Sequence, residues 1–348
     1  MLTVLEGQLE TARQLLPPDV LEYYLAGAGD GLTASEAAQA WTRFRIRPKP
    51  LRDVATIDLT CELLGLSLPT PLAVAPMAFH ALAHVDGEIA TAKGAAEAGA
   101  LFVVSTRASM ALEDIAASTC APWWFQVYVM KDRDLTARLV ERATACGAKA
   151  LVLTGDTPYV GRKRAVDGVR IALTDDHFLV NLARHVAPDR DGRAAAAQDP
   201  STGVEAIGWL QRLSGLPVIV KGVLRGDSAL ECVQAGAAGV IVSNHGGRQL
   251  DRAVPAALAL AEVCNAVAHR VPVLVDGGVR SGLDLFIAVA LGARTVLIGR
   301  PVLWGLASAG SDGVRDALVA VREDFEHVMA LAGTASVTEI DRTFLIGP

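Results

Sequence analysis

A histidine and an arginine three positions apart, His245 and Arg248, give the chain its clearest chemical signal. They follow Val240-Ile241-Val242, a β-branched run typical of a buried strand in a parallel sheet. A titratable base beside a fixed cation suits removal of a proton from an anionic substrate. The two glycines between them let the backbone approach a bound group closely. A lone histidine would indicate an ordinary loop residue, whereas this combination, closed by Asp251, favours a site.

A lysine and two glycine-containing turns point to a second, anion-binding chemistry. Lys221 ends another apolar run, and because a lone buried ammonium is costly, we expect it to face an anionic or electron-rich ligand. Gly277-Gly278 with Arg280, and Gly299-Arg300, form turns whose backbone amides and helix N-termini can hold a phosphate. Other polar residues end apolar runs in the same way: Ser105, Thr106, Arg107, Gln126, Tyr128, Thr154, Asp156, Ser243 and Asp276.

The elements that carry these residues repeat eight times from Pro71 onward, each as a short apolar strand, a polar turn and an alanine-rich helix. This repeat predicts an α/β fold, a (β/α)8 TIM barrel whose active site lies at the carboxyl ends of the strands. An open doubly wound sheet is the alternative, but Ala75-Pro76-Met77-Ala78 stands where Gly-x-Gly-x-x-Gly would follow the first strand. The predicted strands are Leu72–Ala75, Leu101–Val104, Trp124–Tyr128, Ala150–Thr154, Val218–Lys221, Gly239–Val242, Val273–Asp276 and Thr295–Ile298.

The chain is predicted to form a single domain over residues 1–348. Residues 1–70 provide N-terminal helices and a hairpin, and residues 71–310 provide the barrel. A C-terminal helix and tail follow at 311–348. The first segment contains helices over Pro18–Leu25 and about Ala34–Phe44, and candidate hairpin strands at Thr56–Thr60 and Leu64–Leu68.

A long insertion interrupts the repeat after the fourth strand. About sixty residues separate Thr154 from Val218, more than a turn and one helix require. Within this interval, Ala183–Pro200 is charged, alanine-rich and without periodicity. We expect a mobile loop at about 165–205, over the carboxyl face of the barrel. A passive surface insertion is an equally open alternative.

Composition excludes several classes of function. The 348 residues are 51% hydrophobic with a net charge of −6 and no basic tail, so nucleic acid is not an expected partner. The five scattered cysteines are typical of small core residues in a reducing compartment, not of a metal site or a disulfide framework. Without a signal-like N-terminus or an apolar stretch of spanning length, the protein is expected to be cytoplasmic and to have no membrane association.

The segment Ser243-Asn-His-Gly-Gly-Arg-Gln-Leu-Asp251 resembles the signature of the FMN-dependent L-2-hydroxy acid oxidase and dehydrogenase family, which includes glycolate oxidase, lactate oxidase and mandelate dehydrogenase. This resemblance implies oxidation of a small L-2-hydroxy acid to the 2-oxo acid, with FMN as cofactor. It also implies a homo-oligomer, either a tetramer or an octamer. The resemblance covers nearly the whole chain, with further motifs at Tyr23–Asp30, Arg52–Val54, Ala75-Pro76, His84, Gly87-Glu88, Phe125–Tyr128, Thr154–Pro158, Lys221-Gly222, Asp276–Arg280 and Gly299–Pro301.

The resemblance assigns roles at the substrate. It implies that His245 is the base that takes the hydroxyl proton, and that Asp156 steadies its imidazolium form. Arg248 is implied to grip the substrate carboxylate. Tyr23 and Tyr128 are implied to hydrogen-bond the carboxylate and the hydroxyl, which makes Tyr128 a catalytic as well as a substrate-binding residue.

The resemblance also assigns roles at the cofactor. Lys221 is implied to lie by the N1–O2 edge of the flavin and to stabilise negative charge there. The backbone at Met77 and Ala78, next to Pro76, is implied to line the N5 side, and Asp276 to meet the ribityl chain. The residues implied for the isoalloxazine are Ser105, Gln126 and Thr154, with Ser243 nearby. Those implied for the phosphate are Gly278, Arg280, Gly299 and Arg300.

Two positions depart from the family pattern. Lys163 stands where the family has an arginine that helps to bind the carboxylate, and lysine lacks the bidentate fork. Arg107 replaces a bulky apolar residue above the substrate. Either Arg107 turns outward to solvent, or it places a cation in the pocket, which implies a further acidic or polar group on the substrate.

Two alternatives stand beside an oxidase that acts on a small 2-hydroxy acid. Ala78 is the residue type that oxidase members tend to have beside flavin N5, and this favours O2 as acceptor, with H2O2 as product. A dehydrogenase with another acceptor is the first alternative. Oxidation of a specialised biosynthetic intermediate with an extra polar or acidic group is the second.

Overall fold

Eight parallel strands close into a barrel at the centre of the computed structural model, which describes residues 2–163, 171, 173–182 and 191–348. The predicted TIM barrel is confirmed. Each strand pairs with its neighbour in chain order, and β11 closes the ring by pairing with β4. The strands are β4 (Leu72–Val74), β5 (Leu101–Val104), β6 (Trp123–Val127), β7 (Leu151–Thr154), β8 (Val218–Val223), β9 (Gly239–Val242), β10 (Val273–Asp276) and β11 (Thr295–Ile298).

The barrel strands are apolar throughout because both of their faces are covered. Alternate side chains point inward and form one buried cluster, with a residue from each strand, while the others pack under the helices. The inward residues are Ala73, Val103, Trp124, Val152, Ile219, Ile241, Leu274 and Leu297. Four predicted strands match the observed bounds, and the others differ by one or two residues at an end.

Helices surround the barrel and connect its strands. Four of the linking helices are followed by a glycine with a positive φ angle, at 74°, 92°, 99° and 110° for Gly99, Gly147, Gly236 and Gly292. The helices around the barrel are α4 (Gly87–Glu97), α5 (Leu112–Ala117), α6 (Arg133–Ala145), α9 (Glu205–Ser214), α10 (Gly226–Gln234), α11 (Ala256–Val267), α12 (Gly282–Ala290) and α13 (Arg300–Ala332).

The N-terminal segment contains α1 (Leu2–Leu15), α2 (Pro18–Leu25) and α3 (Leu32–Glu36). The predicted helix over Ala34–Phe44 is wrong, because the structure has α3 followed by a separate 3-10 turn at Gln39–Arg43. The turn brings Trp41 into the core, where its Nε1 donates to the Gly277 carbonyl over 2.9 Å. A tertiary contact with the barrel therefore decides the conformation here.

The predicted hairpin exists, but one of its strands is misplaced. The observed strands are β2 (Cys61–Leu63) and β3 (Leu66–Leu68), so the prediction of a strand at Thr56–Thr60 is wrong. Leu64 and Gly65 form the two-residue turn, with φ angles of 50° and 78°, and such a turn brings the flanking residues into register. The apolar side chains of the hairpin join the cluster inside the barrel and close that end.

The C-terminal segment returns to the N-terminal one. Helix α13 has a kink at Ala309-Gly310, where the backbone is not helical, and this kink falls at the predicted boundary at residue 310. After it, β12 (Leu345–Ile346) pairs antiparallel with β1 (Arg45–Ile46). Within the described ranges, no helix has the length and apolar character needed to cross a membrane.

The described parts of the insertion contain two one-turn helices, α7 (Asp175–Phe178) and α8 (Gly192–Ala195). The side chain of Asn181 accepts from Leu112 N at 3.0 Å and donates to Met110 O at 2.9 Å, so this part contacts the barrel. The rest of the predicted mobile loop at 165–205 lies outside the described residues, and its mobility stays a prediction.

Candidate active site

A cavity of about 340 Å³ lies at the carboxyl ends of the barrel strands. It has the size typical of small-molecule sites. Residues from α2, the loops after the strands, and the described part of the insertion line it. The residues predicted from the sequence that line it are Tyr23, Pro76, Met77, Ala78, Ser105, Arg107, Tyr128, Lys163, Lys221, His245, Arg248, Asp276, Gly278, Arg280, Gly299 and Arg300.

The imidazole of His245 is held from behind by a carboxylate. Its Nδ1 lies 2.9 Å from Asp156 Oδ1, and Thr157 Oγ1 donates to the same oxygen over 3.1 Å. Burial acts to raise the pKa of Asp156, but His245, Lys221 and Thr157 outweigh it, and the pKa is lowered. Since the ionised carboxylate accepts the Nδ1 proton, Nε2 is the nitrogen left basic.

Arg248 is fixed by the end of α2. Its Nη1 donates to the carbonyls of Tyr23 at 2.8 Å, Tyr24 at 3.2 Å and Ala26 at 3.0 Å. These are among the carbonyls that the end of a helix leaves without a partner. The guanidinium also lies over the Tyr23 ring, 5.0 Å from its centroid. All three backbone bonds use Nη1, which leaves Nε and Nη2 for other partners.

One of the two glycines of the signature, Gly247, serves packing within the chain. A Cβ on Gly247 would lie 2.5 Å from the backbone nitrogen of Ala34, so the close approach expected of a ligand is here made by α3. Asp251 also holds the N-terminal segment against this loop, because its carboxylate accepts from the backbone amides of Asp30 and Thr33, each over 2.9 Å. The Thr33 amide is the main cause that lowers the pKa of Asp251 to about 2.

Lys221 is buried and has an anionic partner of its own. Its Nζ lies 3.0 Å from Asp276 Oδ2 and donates to Ser243 Oγ over 2.8 Å. Burial acts to lower the pKa of Lys221, but Asp276 and Asp156 raise it, so the amine stays charged. Lys221 also lines the cavity, and its expected contact with an anionic or electron-rich ligand stays a prediction. The other oxygen of Asp276, Oδ1, is buried and has no hydrogen-bond partner in the described part of the chain.

Two arginines concentrate positive charge at one end of the cavity. Arg300 donates to the carbonyls of Gly246 at 2.6 Å and Tyr24 at 3.2 Å, and Arg280 lies over the Trp304 ring. Burial lowers the pKa of Arg300 to about 10, and repulsion from Arg248 and Arg280 adds to the effect. In the part of the chain that the structure describes, neither Arg280 nor Arg300 forms an ion pair. Such a site favours a multiply charged anion.

Four predicted site residues lie outside the lining of this cavity. Gln126 accepts from Ser105 Oγ over 3.2 Å and donates to Thr154 Oγ1 over 2.9 Å. Ser243 Oγ accepts from the His245 amide over 3.0 Å as well as from Lys221. Asp156 lies behind His245. These side chains position their neighbours, and the predicted contacts of Gln126, Thr154 and Ser243 with a cofactor stay predictions.

Arg107 points into the protein, which overturns the alternative that it faces solvent. The residue is 6% exposed, lines the cavity and donates through Nη2 to the Ala196 carbonyl. Its guanidinium lies 4.2 Å from the centroid of the Phe178 ring. Burial lowers the pKa of Arg107 to about 10, with Tyr128 and Tyr23 acting in the opposite direction.

The other departure, Lys163, also lines the cavity. Burial lowers its pKa to about 8, and the charge of Arg248 contributes. Sequence reasoning missed two residues near this part of the site, Phe178 and Thr157. An aromatic residue inside an otherwise polar insertion was the available signal for Phe178. Thr157 lies within the motif Thr154–Pro158, but its role depends on where the chain turns beside Asp156.

Comparison with known proteins agrees with the motifs. The model of the FMN-dependent dehydrogenase family matches residues 12–346. A peroxisomal (S)-2-hydroxyacid oxidase of Arabidopsis thaliana is 42% identical over 338 residues, covering 96% of this chain and 93% of that protein. An L-lactate oxidase of Nostoc sp. is 43% identical over 350 residues, and the match covers 97% of this chain and 96% of that protein.

Solved structures give the same result. A mandelate oxidase crystallised with (S)-4-hydroxymandelic acid is 38% identical and superimposes with a TM-score of 0.91, covering 99% of this chain and 98% of that one. A barrel with this cavity, sequence similarity along almost the whole chain and a family match over 12–346 all agree. The chain belongs to the FMN-dependent dehydrogenase family.

Proposed function

We propose that the protein oxidises a small (S)-2-hydroxy acid to the 2-oxo acid, with FMN as cofactor and O2 as electron acceptor. The observation that carries this proposal is the His245–Asp156 pair, whose free Nε2 belongs to the same cavity as Arg248. A base and a fixed cation in one pocket match a substrate with an ionisable hydroxyl next to a carboxylate. FMN is the cofactor of the family to which the chain belongs.

The residues present fit FMN. Oδ1 of Asp276, which is buried and has no partner within the described ranges, is an acceptor suited to a hydroxyl of the ribityl chain. Arg280 and Arg300, with the turns at Gly278 and Gly299, supply the charge and amides that a phosphate requires. Lys221, held by Asp276, would supply a positive charge to the flavin. The backbone of Met77 and Ala78, next to Pro76, provides a wall for the flavin ring.

The reaction divides between the protein and its cofactor. Arg248 and Tyr23 bind the substrate carboxylate, and Tyr128 donates to the hydroxyl oxygen. Burial raises the pKa of Tyr128, so its hydroxyl stays protonated and can donate. His245 Nε2 takes the hydroxyl proton, and Asp156 stabilises the positive imidazolium that results. Bound FMN would supply the acceptor for the hydride of the substrate carbon, which makes the reaction a two-electron oxidation.

Oxygen is the proposed final acceptor, and its reduction gives H2O2. Two relatives support this choice, since both are named as oxidases, one of 2-hydroxy acids and one of L-lactate. The alanine at position 78, a cavity residue, agrees with the oxidase pattern. A dehydrogenase that passes electrons to another acceptor is the alternative, which the experiment below separates from an oxidase.

A cytoplasmic location and a homo-oligomeric state, tetramer or octamer, belong to the same proposal. The scattered cysteines support a reducing compartment. Fractionation of the source cells would test the location. Light scattering of the purified protein would give the mass of the assembly in solution.

Anaerobic mixing with a panel of (S)-2-hydroxy acids tests the reaction. The absorbance of the oxidised flavin should bleach on mixing with at least one of them. Air should then restore the colour and release H2O2. Bleaching without rapid return in air would replace the oxidase with a dehydrogenase. Absence of bleaching by every member of the panel would refute the reaction.

A further inference from the structure

The cavity holds more positive charge than the proposed reaction uses. Within the described ranges, five cations line it without a carboxylate at ion-pair distance: Arg107, Lys163, Arg248, Arg280 and Arg300. A phosphate contributes up to about two negative charges, and a monocarboxylic substrate contributes one. Two positive charges then remain uncompensated in a largely buried site, which is unfavourable.

Arg107 is the cation with the least satisfied surroundings. Its Nη2 has a partner in the Ala196 carbonyl, whereas Nη1 is buried and has no hydrogen-bond partner among the described residues. Packing against Phe178 explains the position of the guanidinium plane but provides no acceptor for Nη1. Buried donors in folded proteins are nearly always paired, so a missing acceptor at Nη1 points to a ligand.

The substrate carboxylate at C1 already has other partners. Arg248 is held in place by three backbone carbonyls and retains free donors, and Tyr23 lies against it. Arg107 lies beside Phe178 and the carbonyl of Ala196, both from the insertion after β7, and of these two only Phe178 lines the cavity. Nη1 of Arg107 is therefore available to a further acidic group of the substrate.

We infer that Arg107 binds a second carboxylate, carried on the side chain of the substrate, so that 2-hydroxy dicarboxylic acids are the preferred substrates. This inference rests on the proposed function, because it names the substrate class of the same site. Arg107 thereby determines specificity and takes no part in proton or hydride transfer.

Kinetics of the FMN-loaded enzyme test the inference. The probes are (S)-malate and (S)-2-hydroxyglutarate as diacids, and (S)-lactate, (S)-2-hydroxybutyrate and (S)-mandelate as monoacids. Wild type should reduce its flavin with a higher kcat/KM on a diacid. In Arg107→Leu, kcat/KM on that diacid should fall about 30-fold or more, as expected when one partner of a buried charge pair is truncated. The monoacid values should stay the same or rise.

Binding provides a second measurement that does not depend on turnover. Glutarate and succinate lack the hydroxyl and cannot be oxidised, and valerate and butyrate are their monoacid counterparts. Titrations followed by flavin absorbance should show diacids binding more tightly to wild type, and Arg107→Leu should remove this difference. Arg107→Gln retains a donor for Ala196 O and provides the same test should the leucine variant lose FMN.

Arg193→Leu is the matched control. Arg193 also lies over the Phe178 ring, 5.1 Å from its centroid, but it pairs with Asp175 and lies outside the cavity lining. Its loss should leave the diacid preference unchanged.

Three results would overturn the inference while leaving the proposed function intact. The first is a wild type that prefers monoacids. The second is an equal loss on every acid in Arg107→Leu, which would assign Arg107 to the shared C1 carboxylate. The third is no change on any acid. A wild type that bleaches with no acid at all would instead refute the proposed function.

Discussion

Nδ1 of His245 lies 2.9 Å from Oδ1 of Asp156, and this contact determines which imidazole nitrogen is available to a substrate. The His245 backbone has a φ of 58°, an unusual value for a residue other than glycine. Its amide donates to Ser243 Oγ over 3.0 Å, which helps to hold the turn. The imidazole is thus oriented by groups on two strand ends, and its free nitrogen is left for chemistry.

His245→Ala should slow flavin reduction by substrate about 10²–10⁴-fold, the usual effect of removing a general base. The bound FMN content should not change, because the imidazole acts on the hydroxyl proton. Anaerobic stopped-flow mixing measures the rate, and the absorbance ratio of flavin to protein measures the content. An unchanged reduction rate would exclude His245 as the base.

Asp156→Asn should reduce stability at neutral pH and lose this effect in acid. The folded protein lowers the pKa of Asp156 below its ordinary value of 3.8, so its contribution is present above about pH 4. That contribution is lost as the pH falls through the lower, folded-state pKa. Urea unfolding at pH 7, 5 and 3.5 should therefore show that the difference in the free energy of unfolding between variant and wild type becomes smaller in acid.

The exposed Asp114, at the start of α5, provides a control for this measurement. Asp114→Asn removes one carboxylate from the surface, and its free energy of unfolding should equal that of wild type at each pH. If the difference in the free energy of unfolding between Asp156→Asn and wild type stayed constant from pH 7 to pH 3.5, the effect could not be assigned to ionised Asp156.

Arg300→Ala should weaken FMN binding by about tenfold or more, because it removes a charge-assisted contact with the phosphate. Fluorescence titration of the apoprotein with FMN gives the dissociation constant. Arg294→Ala is the control, since Arg294 precedes β11 at the opposite end of the barrel and is exposed. Equal affinity of the two variants would remove Arg300 from the phosphate site.

Gly247→Ala should destabilise the protein more than Gly246→Ala, although both glycines have positive φ angles, 75° and 63°. A Cβ on Gly247 meets Ala34 N at 2.5 Å, whereas one on Gly246 meets only Arg300 Nη2 at 3.6 Å. The clash should add roughly 1–3 kcal/mol to the cost of the left-handed backbone that both variants share. Denaturant unfolding of the two variants measures the difference, and equal costs would show that α3 shifts freely.

Local sequence was sufficient for the barrel and for the set of residues at its mouth. The eight strands are short apolar runs, and glycines such as Gly99 and Gly292 end their linking helices, so each unit is encoded within about thirty residues. Parallel strands all present their carboxyl ends on one face. Residues as distant in sequence as Ser105 and His245 therefore had to meet, and both line the cavity.

Tertiary structure decided the partners and directions of those residues. Lys221 was recognisable as a buried cation, but its pairing with Asp276 depends on the closure of β8 and β10 around β9. Periodicity favoured one helix over Ala34–Phe44, and the contact of Trp41 with Gly277 imposed a 3-10 turn instead. Interactions between segments outweigh local propensity here, since propensity differences are below about 1 kcal/mol per residue.

The sequence by itself determined the family, the barrel and the identity of the charged residues, because these follow from local patterns and from strand order. It left open whether Arg107 faces solvent or the cavity. That choice depends on Phe178 and Ala196, which come from an insertion without periodicity and lie more than seventy residues further along the chain. Only folding brings them against β5, and there the ring and the carbonyl hold the guanidinium inward.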